Sequence, residues 1–234
     1  MNPKVAAWAV HLYTATGAPL GLLAVMASAS ADFRLAFVCL ALAVFVDVTD
    51  GTLARRARVK EVVPDFDGSK LDDIVDYLNY VVVPLFLAHQ AALIPLGIGG
   101  LATVMVPLLA SAYGFCQVAA KTPDHFFTGF PSYWNIVVFY FFILGTPVWF
   151  NTALLLFLSV MVFVPIRYLY PSRNRAARRT IYVLGVVWAL CVAVLLAQSP
   201  RPSPTLAWLS LYFPIFYVAV SLWVHFGDRL RPRA

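Results

Sequence analysis

The sequence predicts an all-α protein embedded in a lipid bilayer. Three observations carry that expectation. Of 234 residues, 62% are hydrophobic and only 12% charged, which leaves a soluble domain of this length short of polar surface. The apolar residues gather in runs of about 20, the length a helix needs to cross a hydrocarbon core about 30 Å thick. Period-two alternation is absent, which argues against a β-barrel.

Eight spans are expected, at 5–27, 33–53, 69–95, 97–118, 133–149, 151–170, 179–198 and 205–226. The first is too long for the apolar part of a signal peptide and carries His11, Tyr13 and Pro19, so it reads as a retained helix. The second ends in Asp47 and Asp50. A polar connection follows, broken by Pro64 and the turn-like Asp67-Gly68. The third opens with Asp72, Asp73 and Asp76. Very short turns separate the third span from the fourth and the fifth from the sixth. Ser132, after Pro131, reads as the cap of the fifth. The whole chain, 1–234, forms one membrane domain with no soluble module, linker or repeat; its active hairpin is 47–76.

Short cytoplasmic loops retain Lys and Arg. The 54–70 loop carries Arg55, Arg56, Arg58, Lys60 and Lys70; the 171–179 loop carries Arg173, Arg175, Arg178 and Arg179; the tail carries Arg229, Arg231 and Arg233. All three fall on one side if both termini are cytoplasmic. The net charge of +6 is then a topology signal with attraction to anionic lipid, and nucleic acid is not implied. Cys39, Cys116 and Cys191 lie alone in apolar runs and read as inert buried thiols. The four histidines form no metal-type pair. Only His125, beside Asp124 in a polar loop, invites a test.

Eight of the eleven acidic residues fall in residues 47–76, against five basic ones. Asp47 and Asp50 are i, i+3 on one helix; Asp72 and Asp76 are i, i+4 on the next. Either spacing puts a pair on one helix face, so two antiparallel helices can aim four carboxylates at one point below the cytoplasmic surface. Each carboxylate costs about 2.5–3.5 kcal/mol at a helix centre and less near the interface. Divalent cations answer that cost, because hard cations unite several carboxylates. With no His or Cys in the cluster, Mg²⁺ or Mn²⁺ is favoured over zinc. Gly51 lets a ligand or helix come close, Arg55 can reach a phosphate, and Gly68 leaves room for a flat base. Two metals beside an arginine at headgroup level suit a pyrophosphate held on a lipid.

These residues resemble the CDP-alcohol phosphotransferase motif. Its pattern of Asp-x-x-Asp-Gly-x-x-Ala-Arg, a spacer, then Gly-x-x-x-Asp-x-x-x-Asp is met by Asp47, Asp50, Gly51, Ala54, Arg55, Gly68, Asp72 and Asp76. The spacer of twelve residues between Arg55 and Gly68 is longer than usual in that family. In this, and in the later "GFPSYWN" at 129–135, the chain is similar to the bacterial phosphatidylcholine synthase branch. The resemblance implies a six-helix core plus extra C-terminal helices in the bacterial inner membrane, with the site facing the cytoplasm. It implies transfer of phosphatidate from CDP-diacylglycerol to choline, releasing CMP by direct displacement. It further implies two divalent ions held by Asp47, Asp50, Asp72 and Asp76, with Asp76 as general base. Asp50, Gly51, Ala54, Arg55 and Gly68 would contact the nucleotide, and a homodimer is implied.

Choline carries a permanent cation that aromatic faces recognise, at about 0.5–2 kcal/mol per ring. Tyr77, Tyr80, Tyr133 and Trp134 are candidates for such a cage, with Asn135 as an orienting group; interfacial anchoring is the competing reading for each ring. Serine, inositol phosphate or glycerol phosphate are alternative acceptors, and the 171–179 arginines would suit the phosphorylated ones. A membrane prenyltransferase would spread its two aspartate motifs over well-separated helices. A non-enzymatic cation transporter would place acids at mid-membrane on several spans. Neither pattern is seen.

Overall fold

A computed structural model describes residues 2–117, 126–169 and 178–230. His125, Arg173, Arg175, Arg231 and Arg233 lie outside the described residues, as do the side chains of Arg178 and Arg229.

The chain opens with α1 (Pro3–Ala15) and α2 (Gly17–Ala29), which meet at Thr16 and together form a 27-residue apolar span. Asn2 caps α1 by accepting from the Lys4 amide at 3.0 Å. Asp32 does the same for α3 (Phe33–Arg56), accepting from the Leu35 amide at 3.0 Å. The connection turns at Arg58, whose φ is +49°, into a short α4 (Val59–Val62). Asp67 then caps α5 (Gly68–Asp76) by accepting from the Ser69 and Lys70 amides, each at 3.1 Å.

Helix α5 runs without a break into a π-helical segment, Tyr77–Val82, and on into α6 (Val83–Gln90). These pieces of nine, six and eight residues make the third arm. Next come α7 (Ile98–Cys116), β1 (Phe126–Thr128), α8 (Trp134–Leu144), α9 (Val148–Met161) and β2 (Arg167–Leu169). The chain closes with α10 (Arg178–Gln198), α11 (Pro204–Ser210) and α12 (Tyr212–Leu230).

The protein is an all-α membrane protein. Pro3–Ala29, Phe33–Arg56, Ile98–Cys116, Arg179–Gln198 and Pro204–Gly227 are long and apolar enough to cross a bilayer. Leu12, Ile98, Leu109, Trp149 and Trp223 point outward, which lipid tails accommodate.

The expected fifth and sixth spans, 133–149 and 151–170, need correction. Helices α8 and α9 hold 11 and 14 residues, about 16 and 21 Å long. Gly145, at φ +60°, ends the first, and Pro147 precedes the second. Beyond Met161 the chain leaves helical geometry, passes Pro165, and pairs as β2 antiparallel to β1, Phe127 opposite Tyr168. Ser132 does not cap α8 either. Tyr133 stands at that position with no side-chain cap bond, and Ser132 takes left-handed backbone at φ +56°. Nor are the thiols uniformly buried: Cys39 is, whereas Cys116 is exposed and Cys191 half-buried.

The core joins Ala24, Leu40, Val81, Leu85, Leu87, Trp134, Val138 and Leu155. Small residues bring α2 flush against the third arm. A Cβ on Gly17 would stand 2.4 Å from Val75 Cγ1, and one on Gly21 2.8 Å from Asn79 Oδ1. Asn79 Nδ2 donates to the Gly17 carbonyl at 2.9 Å across the same contact.

Candidate active site

Helix α3 carries Asp47 and Asp50 down to its last turns, and α5 starts back with Asp72 and Asp76. Asp47, Asp50 and Asp72 each present one carboxylate oxygen, all within 4.8 Å of one another. Such a group could hold a metal ion. Its donors are oxygens alone, the set that suits a hard divalent cation. Asp76 stands one helical turn beyond Asp72, on the π-segment side, and does not share that three-residue cluster. It lies close enough to act electrostatically on the Tyr80 phenol.

Asp50 is the buried member, at 6% exposure. Thr14 Oγ1, on α1, donates to its Oδ2 at 2.8 Å. Next to it Tyr13 and Thr49 share a hydrogen bond of 2.8 Å between their hydroxyls, locking α1 to α3 beside the carboxylates. Tyr80 hydroxyl donates to Asp47 Oδ2 at 2.6 Å, a short charge-assisted bond. The π segment is what brings Tyr80 there. A widened turn at a functional site is a recurrent device for re-aiming a side chain. Tyr80→Phe leaves the ring in place and removes only this donor; activity should fall about tenfold, with a raised metal requirement. Unchanged activity across a metal titration would show that Asp47 needs no such anchor.

Among the nucleotide candidates, Gly51 faces open space apart from Arg55 Nη1, 3.4 Å from where a Cβ would stand. Arg55 Nη2 donates to Thr52 Oγ1 at 2.9 Å on the same exposed helix face. Ala54 is half-buried on the next turn. The space beside Gly68 is not open. A Cβ there would meet His11 Cε1 at 2.7 Å, so this glycine admits the His11 ring.

A scan against models of protein families finds no match. Curated proteins do match, over most of their length. A phosphatidylcholine synthase of Legionella pneumophila is 39% identical over 235 residues, spanning 95% of this chain and 90% of its own. One of Pseudomonas aeruginosa is 37% identical over 220 residues, spanning 94% and 92%. One of Mesorhizobium japonicum is 34% identical, spanning 84% and 73%. The chain belongs to the phosphatidylcholine synthase family. It is thereby a membrane-bound enzyme of phospholipid biosynthesis, a transferase.

For a phosphatidylcholine synthase, the placing of the aromatic candidates matters most. The structure separates them. Tyr80 and Tyr133 lie together beside Asp47, ring centroids 5.9 Å apart. Trp134 is fully enclosed, with Nε1 donating to Ser111 Oγ at 2.7 Å; its satisfied donor and zero exposure make it a core residue. Tyr77 donates to the Leu108 carbonyl at 3.0 Å, toward α7. Asn135 Oδ1 accepts from the Ile136 amide at 2.9 Å.

Sequence reading missed Tyr217 and Tyr168. Tyr217, on α12, is hydrogen-bonded to Tyr133, its ring 6.1 Å away, and Tyr168 of β2 stacks on it at 6.5 Å. A file of four tyrosines thus runs from Asp47 to α12. Four separate segments of chain converge to build it, so no local pattern announces it. His225, on α12, is accounted for structurally: its Nδ1 accepts from the Arg167 amide at 3.1 Å, holding β2 against α12.

Proposed function

We propose that the protein transfers the phosphatidyl group of CDP-diacylglycerol to choline, forming phosphatidylcholine and CMP. The observation that carries this reading is the meeting of the two halves of the motif. Carboxylates from α3 and α5 converge within 4.8 Å, and a file of tyrosines starts at one of them.

In this reading Asp47, Asp50 and Asp72 hold divalent cations, Mg²⁺ or Mn²⁺, with Asp76 completing a second position. Ions held there would supply charge neutralisation at the pyrophosphate and at the departing CMP. Arg55, Gly51 and Ala54 line the nucleotide side. Asp76 takes the proton of the choline hydroxyl. The choline oxygen forms a bond to the phosphatidyl phosphorus, the bond from that phosphorus to the bridging oxygen breaks, and CMP leaves with that oxygen. Asp76 must come within hydrogen-bond reach of the alcohol for this, and its place beside Tyr80 supports that. The half-buried Tyr133 and Tyr217 are the rings assigned to the trimethylammonium group, each offering about 0.5–2 kcal/mol, with Tyr80 and Tyr168 backing them on either side. In this reading the site opens to the cytoplasm of a bacterial inner membrane with both termini on that side, the arrangement that places every arginine-bearing loop on one face. A homodimer is consistent with the family.

Purified protein with CDP-diacylglycerol, Mn²⁺ or Mg²⁺, and labelled choline, serine, inositol phosphate or glycerol phosphate tests the reading. Choline should be incorporated and the other alcohols should not. Preferential use of another alcohol would move the protein to a different acceptor class. Tyr217→Leu should raise the choline KM about twofold to thirtyfold and leave the KM for CDP-diacylglycerol unchanged. Equal changes in both constants would remove Tyr217 from the acceptor pocket.

A further inference from the structure

His11 is 6% exposed, and among the described residues its Nε2 has no hydrogen-bond partner. A buried, unpaired imidazole nitrogen is an unfavourable feature that a packed helix face would ordinarily avoid. Its surroundings are specific. The ring lies 4.5 Å from that of Phe66 and 5.8 Å from that of Trp8, and those two rings are 5.1 Å apart. Phe66 and Trp8 remain 36% and 50% exposed. Gly68 lacks a side chain where the imidazole passes. One turn further along α1, Thr14 bonds Asp50.

We infer that Trp8, His11 and Phe66 form the subsite for the pyrimidine base of the nucleotide-activated lipid, with His11 Nε2 hydrogen-bonding its polar edge. The inference rests on the phosphatidyl-transfer reading above. The placement favours a base over other ligands. The cluster lies on the loop side of Asp50, beside the connection from α4 to α5, where a nucleoside attached to the gripped pyrophosphate would extend. Two partly exposed aromatic faces supply the flat surface on which a base stacks, and one unsatisfied nitrogen supplies a directional contact at their margin. Phe66 sits in the exposed turn between α4 and α5 and forms the outer wall of the subsite. His11 acts here as a positioning residue: it fixes the nucleoside and touches no reacting atom.

Calorimetric titration of the full-length protein with CMP and Mg²⁺ reads this directly. His11→Ala should weaken CMP binding about tenfold and raise the KM for CDP-diacylglycerol, while the choline KM stays within twofold. His11→Asn, which keeps a hydrogen-bonding group, should recover most of the CMP affinity. Phe66→Leu should weaken CMP independently of His11, and it carries the test if His11→Ala does not fold. Unchanged CMP affinity in His11→Ala and Phe66→Leu would overturn the subsite, as would an Asn variant no better than Ala or a choline KM that rises in step. If wild-type protein binds neither CMP nor CDP-diacylglycerol, the phosphatidyl-transfer reading fails instead.

Discussion

Asp76→Asn should lower choline incorporation by about 10²–10⁴-fold, the range lost when a general base is removed. The substitution keeps the size and the hydrogen-bonding shape of the side chain but cannot take a proton from the attacking hydroxyl. CMP binding should survive, because Asp47, Asp50 and Asp72 form their cluster without Asp76. The pair of readouts matters. Asp72→Asn, by contrast, should lose turnover together with metal-dependent CMP binding. An Asp76→Asn enzyme working within tenfold of wild type would mean that the proton leaves by another route.

Gly129→Ala should have a large effect although it lies away from the carboxylates. Gly129 sits at φ +83°, and a Cβ there would lie 2.1 Å from the Val162 carbonyl oxygen. The backbone conformation alone costs a side chain about 1–3 kcal/mol, and the overlap forces the loop off the end of α9. That loop is docked by two amides, Gly129 to Ile166 O at 2.9 Å and Phe130 to Met161 O at 3.0 Å. Four residues on it carries Tyr133 to the site. Lower thermal stability in detergent and a raised choline KM should therefore appear together. A variant with wild-type melting and wild-type KM would show that the loop tolerates a different path.

The contrast between what was legible and what was not follows from range. Spans such as α3 and α10 announce themselves, because bilayer thickness imposes long apolar runs that need no partner to be read. The aspartates stood out for a similar reason: i, i+3 and i, i+4 spacings are local, and their cost in a membrane makes them conspicuous; of the four expected at one point, Asp47, Asp50 and Asp72 form the cluster and Asp76 stands outside it. Residues 133–170 misled because they are nearly all apolar. Against that background Gly145, Pro147 and Pro165 were the only marks of where α8 and α9 stop. The π segment has no local code, and the pairing of Phe127 with Tyr168 joins residues that only the fold brings together. Trp134 looked like a ligand for choline because it follows Tyr133. The first turn of α8 instead points Trp134 into the core, where its Nε1 donates to Ser111. His11 was set aside because histidines were sought in pairs, whereas its partners are the aromatic rings of Trp8 and Phe66.

The bond from Tyr80 to Asp47 has a thermodynamic corollary. On the proposed assignment it joins a side chain of the acceptor side to one of the phosphate side. Whatever factor one substrate imposes on the affinity of the other must be returned in the opposite direction.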